Sequence, residues 1–443
     1  MKSLLVLASL LTLAPAPPSV PPRQEEAIDA KARDQALVNA FKYLDKKLWQ
    51  LNENGSPQLQ YSVAMAGWAY MLASDRSQKA KKLPSRSREI KRIFDYLQRY
   101  VQKIEKEYAN SAKAKKKPKR VRPAGAGLGL AFGKPSQYVW PLSVAAHFFA
   151  EHLARGKRKG ECQRALRSIA RILADAQQDN GGWGHDDARR PNLGLPKIPI
   201  PKPGGGGNLV YPGTLLSATG CALSGLGVAS GGRKRKTYAK PLANGRRHLQ
   251  KAQNSSGTFP YDTSQRMARQ PRGGGRGGMS VIDRIDTART SSAVLAYLLA
   301  GGRPTDDVVK NGIAAIDKGF KELGEGHGSA TLALQYGALL SKVRGAEVWK
   351  RFRDEYFPTI LERQEKSGAF LCAARSNAFG VTNDTEPLPG GISPPGFVDQ
   401  GKTYVTAIHC LILALDRAPA KSLPEVPGLA SVGGGVTPGK RQK

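Results

Sequence analysis

The side chains able to do acid, base or metal chemistry are few, and most stand in loops or at the starts of apolar segments. Trp183-Gly184-His185-Asp186-Asp187 puts a histidine and two acids in a row, a set that can hold a metal or a polar substrate. The same stretch also reads as a polar loop whose acids face Arg189 and Arg190. His327 stands before Gly328-Ser329 at the start of a helical segment. There the helix dipole lowers a histidine pKa and favours anions, so a neutral His327 could act as a base or bind an anionic group. The plainer role is a turn residue. Trp140, Tyr211, Thr214 and Tyr404 lie at equivalent starts or nearby, where they could line a shared cavity. Asp286 is placed as an N-cap for the apolar segment that follows it. His147, His152 and His248 read as structural or surface residues. No phosphate-binding loop, serine-hydrolase elbow or HExxH phrase is present, and no metal or cofactor is expected.

These positions depend on a helical repeat. After residue 25 the pattern alternates amphipathic charged segments with segments apolar nearly all round. Six pairs can be counted: 25–49 and 57–74, 85–112 and 136–154, 160–178 and 212–229, 237–253 and 286–300, 304–323 and 328–343, 346–364 and 403–415. In 85–112, Ile90, Ile93, Phe94, Leu97 and Val101 form one stripe among Lys, Arg and Glu. The second members need burial on every side, which predicts two concentric layers and an all-α (α/α)6 ring with the small-residue helices inside.

Three of the charged segments close on one phrase: Gln, three residues, Gly, one residue, aromatic. It occurs as Gln177…Gly181-Gly182-Trp183, Gln253…Gly257-Thr258-Phe259 and Gln364…Gly368-Ala369-Phe370. The glycine permits a sharp reversal. The glutamine amide can reach carbonyls at the helix end or the start of the next helix. The aromatic packs back over the turn. These residues are expected to staple the ring.

The phrase resembles the QW repeat of squalene and oxidosqualene cyclases, and the resemblance covers residues 25–417. Related rings occur in protein prenyltransferase β subunits and in complement thioester domains. The resemblance implies an α/α toroid and also says where chemistry should lie. Class II cyclases carry their proton donor in a D-x-D-D-T-A phrase. The matching stretch is Asp283-Arg284-Ile285-Asp286-Thr287-Ala288, with Ile285 at the donor position. The prenyltransferase zinc site would need Cys where Ala288 stands and His where Val405 stands. The thioester Cys-Gly-Glu-Gln phrase is absent, and the matching region reads Gly220-Cys221-Ala222. The standard acid and zinc ligands of the family are therefore expected to be missing. A divergent cyclase could still use displaced acids such as Asp283, Asp286 or Asp186, and a polysaccharide-acting enzyme could be built on the same ring.

Composition bears on location and partners. Lys2, the apolar stretch 3–13 and Ala14-Pro15-Ala16 read as an export signal, with 1–22 as signal and Pro-rich linker and 418–443 as a disordered basic tail. Lys and Arg number 69 against 35 acids, a net charge of +34, which favours an anionic polymer or an anionic lipid surface over a neutral partner. A hydrophobic small molecule in the central cavity is the other ligand class. The Arg-Gly-Gly run at 272–278 lacks interleaved aromatics, so no specific nucleic-acid binding is expected. Cys221 and Cys410 read as small core residues, and a bridge through Cys372 stays open.

Overall fold

The computed structural model describes residues 24–50, 57–75, 83–114, 138–184, 216–231, 236–260, 281–324, 330–372 and 398–423, together with Val426, Leu429 and Val432. The helices in chain order are α1 (Gln24–Lys47), α2 (Pro57–Ala73), α3 (Ser87–Ala114), α4 (Val139–Ala154), α5 (Lys159–Asp175), α6 (Leu216–Ala229) and α7 (Ala239–Ala252). They continue as α8 (Val281–Leu299), α9 (Asp307–Lys318), α10 (Ala330–Arg344), α11 (Ala346–Glu362) and α12 (Val398–Leu415), with a 3-10 turn at Phe320–Glu322 after α9.

The even-numbered helices form the inner layer. Packing runs α2 to α4 to α6 to α8 to α10 to α12, and α12 packs extensively against α2, which closes a ring. The odd-numbered helices lie outside, so the protein is an all-α (α/α)6 toroid. Sequence periodicity explains the division. In α3, Ile93, Phe94, Leu97, Val101 and Ile104 are buried at three- and four-residue spacing, a single inward stripe. In α6 every residue from Ala218 to Gly227 is buried, as befits a helix with neighbours on all sides. Close approach of inner helices requires glycine at Gly225, where a Cβ would strike Ser143 of α4, and at Gly227, where it would strike the Leu299 carbonyl of α8.

The pairs read from sequence are pairs of succession. In space an outer helix packs on the inner helix before it: α3 on α2, α9 on α8 and α11 on α10, while α1 packs on α12 across the closure. The α10–α11 connection is a single residue, Gly345. The long connections precede inner helices.

The three repeated phrases share one geometry. Each glutamine Nε2 donates twice, once to the carbonyl of its own phrase glycine and once to a carbonyl in the next outer helix around the ring. Gln177 reaches Gly181 and Pro241 of α7, both at 2.9 Å. Gln253 reaches Gly257 at 2.9 Å and Val308 of α9 at 3.0 Å. Gln364 reaches Gly368 at 3.2 Å and Ala36 of α1 at 2.8 Å, across the junction of the chain's two ends. The glycines take φ of +87°, +83° and +89°. A Cβ on them would overlap the backbone carbonyls of Asn244, Asn311 and Asn39, each three residues past the acceptor carbonyl. The amide of the aromatic residue then donates to an inner-helix threonine: Trp183 to Thr219 at 2.9 Å, Phe259 to Thr290 at 3.3 Å and Phe370 to Thr406 at 2.9 Å. Each phrase therefore ties an outer helix to the next outer helix and to an inner one.

Several expectations change. α8 begins at Val281, so Asp286 is its sixth residue and not an N-cap. The four cysteines are buried thiols with no disulfide among them, and Cys372 Sγ accepts from Thr331 Oγ1 at 3.4 Å. Past α12 the described part of the tail carries buried Ala418, Ala420 and Leu429. Its Ser422 amide donates to the fully buried carboxylate of Glu151 at 2.9 Å.

The staple geometry sets a stability test. Gly181→Ala, Gly257→Ala and Gly368→Ala should each cost about 2 kcal/mol, because the new Cβ meets both a positive φ and a carbonyl. Gly160→Ala, with nothing nearer than 3.8 Å, should be neutral or stabilising in the same urea titration. Equal effects at all four positions would count against the staple.

Candidate functional site

The ring order identifies which side chains meet on its axis, because non-adjacent inner helices can touch only across the lumen. Tyr61 of α2 donates to Gln335 Oε1 of α10 at 2.9 Å, yet α2 is flanked by α4 and α12. Tyr336 of α10 lies close to the Cys221 thiol of α6, although α8 stands between them. Ser143 of α4 shares the same thiol, and the ring of Tyr404 on α12 lies 5.5 Å from that of Tyr61. Five of the six inner helices thus send a polar side chain to one level, within the first two turns of each helix. One turn deeper, His147 Nε2 lies 2.9 Å from Ser224 Oγ, and the imidazole stacks on Trp68 with ring centres 5.0 Å apart.

The electrostatics of this cluster are those of a dry, neutral interior. Burial pushes the hydroxyls of Tyr61 and Tyr336 well above the usual tyrosine range, so they stay protonated and serve as donors. Burial likewise raises the Cys221 thiol to about 11, which leaves it unreactive at neutral pH. Burial lowers His147 to about 4 and His409 to about 3, so both imidazoles are neutral. Among the described residues no carboxylate joins the cluster, and no group of three or more His, Cys, Asp or Glu is arranged to hold a metal ion. The arrangement can hydrogen-bond and pack; its described members supply neither a strong acid nor a nucleophile.

Of the residues singled out from sequence, Tyr404 is buried in this cluster and Trp140 stands half-buried at the second position of α4. Asp283 and Asp286 lie in the helical backbone of the first two turns of α8, with their side chains outside the described residues. His185, Asp186, Asp187, Tyr211 and His327 also lie outside the described residues. His147, His152 and His248 are all buried. Sequence reading missed Tyr61, Gln335, Tyr336, Ser143 and His147 as a group. The available signal was a polar residue interrupting an otherwise apolar helix at nearly the same position in successive inner helices.

No protein-family model and no curated protein matches the chain. Among solved structures, the chain is similar to three variants of the type II terpene cyclase MstE from Scytonema. Two of them are complexes with the substrate geranylgeranyl dihydroxybenzoate, at 14% identity and TM-score 0.44, and one is an apo form at 13% and 0.43. Each alignment covers 88% of this chain and 99% of the other. The assignment of the ring rests on the helix order and contacts above.

The buried histidines give a pH dependence with a definite sign. Their folded pKa values lie below the unfolded value of about 6.5, so the unfolded chain binds more protons between the two. Stability is full above pH of about 6.5 and falls by about 1.4 kcal/mol per pH unit for each such histidine as pH drops toward 4. His409→Leu should lower the slope of unfolding free energy against pH by about that amount between pH 5 and 6.5. An unchanged slope would contradict the neutral buried imidazole.

Proposed function

We propose that this chain is an exported ring protein that binds a hydrophobic or anionic ligand at the mouth formed by the N-terminal ends of its inner helices, without proton-donating or zinc chemistry. The observation that supports this reading is the cross-lumen cluster of Tyr61, Gln335, Tyr336, Cys221, Ser143 and Tyr404. It closes the ring axis with neutral hydrogen-bonding groups, so a ligand has to sit above it. There it would meet apolar rings and protonated hydroxyls from below, and six helix N-termini with their partial positive charge around it. Ile285, Ala288 and Val405, at the family's proton-donor and zinc-ligand positions, agree with a binding role. The expected export signal lies in 1–22 and is part of the same reading.

A second reading is favoured by one placement. Asp283 and Asp286 both fall in the first two turns of inner helix α8, on the mouth side, where a displaced acid of a cyclase would have to be.

Incubation with geranylgeranyl and squalene-type polyprenoids, followed by mass spectrometry, separates the two. The binding reading predicts a rise in melting temperature with recovery of unchanged polyprenoid. It is overturned by a cyclised product whose formation is lost in Asp283→Asn or Asp286→Asn. Absence of any thermal shift with polyprenoids and with anionic amphiphiles would equally remove the proposed ligand classes.

A further inference from the structure

A different face of the molecule carries an independent inference. The outer helix α7 is the single outer helix with no Asp or Glu; α1, α3, α5, α9 and α11 all contain acids. Its sequence holds Lys240, Arg246, Arg247 and Lys251, and Lys236 precedes it. Lys236, Lys240, Arg247 and Lys251 are exposed, and none makes an ion pair among the described residues. Arg247 and Lys251 stand four residues apart, a like-charge spacing that costs helix stability. On α3, α5 and α11 cations and acids are mixed, and some pair: Arg158 with Glu161 and Asp95, and Lys350 with Asp354. On neighbouring α5, exposed Arg164, Arg167 and Arg171 repeat at three- and four-residue spacing, and among the described residues only Arg171 of the three is in an ion pair, with Glu105.

We propose that the outer face of α5 and α7 is a docking surface for an acidic polysaccharide. Lys240, Arg247 and Lys251 recur on one side of α7 over about 16 Å, a linear row suited to a linear chain of sulfate or carboxylate groups. The apolar residues Leu242, Leu249 and Ala252 are all buried, so the face offers nothing to enter a bilayer. Its one aromatic ring, Tyr238, is half-buried against the core, so the face lacks the row of exposed rings on which successive bases of a single strand could stack. The helix also lies within the outer wall, packed on α6 and α8, so it cannot enter a DNA major groove. This surface is separate from the mouth of the ring, and its failure would leave the ligand reading there untouched.

Retention on immobilised heparin against a salt gradient tests it. The triple variant Lys240→Ala, Arg247→Ala, Lys251→Ala should elute at lower salt than the parent. The slope of log affinity against log salt should also fall by about one for each lost cation contact. The control Lys91→Ala, Lys103→Ala, Lys106→Ala removes the same charge from the mixed-sign face of α3 and should move elution little. Circular dichroism melts confirm that both variants fold, since all six side chains are exposed. Equal shifts in the two variants would reduce the effect to net charge and overturn the site. So would duplex DNA displacing the protein from heparin more effectively than free heparin does.

Discussion

Everything in this structure depends on closing the ring. An inner helix that is apolar on every side has no face to give to water. In an open row of six, α2 and α12 would each leave one flank bare; packed against each other they leave none. The closure joins segments more than three hundred residues apart, and chain entropy opposes it. It is held on the outside by Gln364, whose amide bridges its own turn and the Ala36 carbonyl of α1. It is also held by an ionic knot. Arg33 and Arg417 pair with Asp416 and Asp34 respectively, and Asp416 accepts from the Trp349 indole at 2.9 Å.

The other outer seams divide by chemistry. The α5–α7 and α7–α9 seams carry the same glutamine staple as the closure. The remaining three lack the phrase and use other pairings. Asp45 at the end of α1 accepts from Tyr70 of α2 and pairs with Arg86 at the start of α3. Glu105 of α3 meets Ser168 and Arg171 of α5. Tyr356 of α11 bonds the turn after α9, through the Phe320 carbonyl and the Leu323 amide. A staple made of backbone carbonyls is independent of pH and salt, whereas the ion pairs are screened. The junction of the two chain ends uses both.

The alternation of layers could be read from sequence because it rests on local periodicity, as the buried stripe Ile93, Phe94, Leu97, Val101 shows. The staples could be read because a glycine in the left-handed region leaves a mark that few other residues can make. Their partners could not. Pro241, Val308 and Ala36 are ordinary helix residues, and the threonines that receive the aromatic amides lie 36, 31 and 36 residues away. The cross-lumen cluster was hidden for the same reason. Tyr61 and Gln335 are 274 positions apart, and each alone looks like an interruption in an apolar helix. The helix start at Val281 was missed because Asp286 reads as a cap, whereas the helical backbone already begins five residues before it.

Native-state hydrogen exchange on the backbone amides of α2 and α12 tests the closed ring most directly. In a closed ring these two helices have no edge, so their amides should exchange as slowly as those of α6, which lies on the far side between α4 and α8. Exchange from α2 and α12 that is faster by an order of magnitude or more, with α6 still protected, would mean that the ring opens at the junction of its ends and would contradict the account.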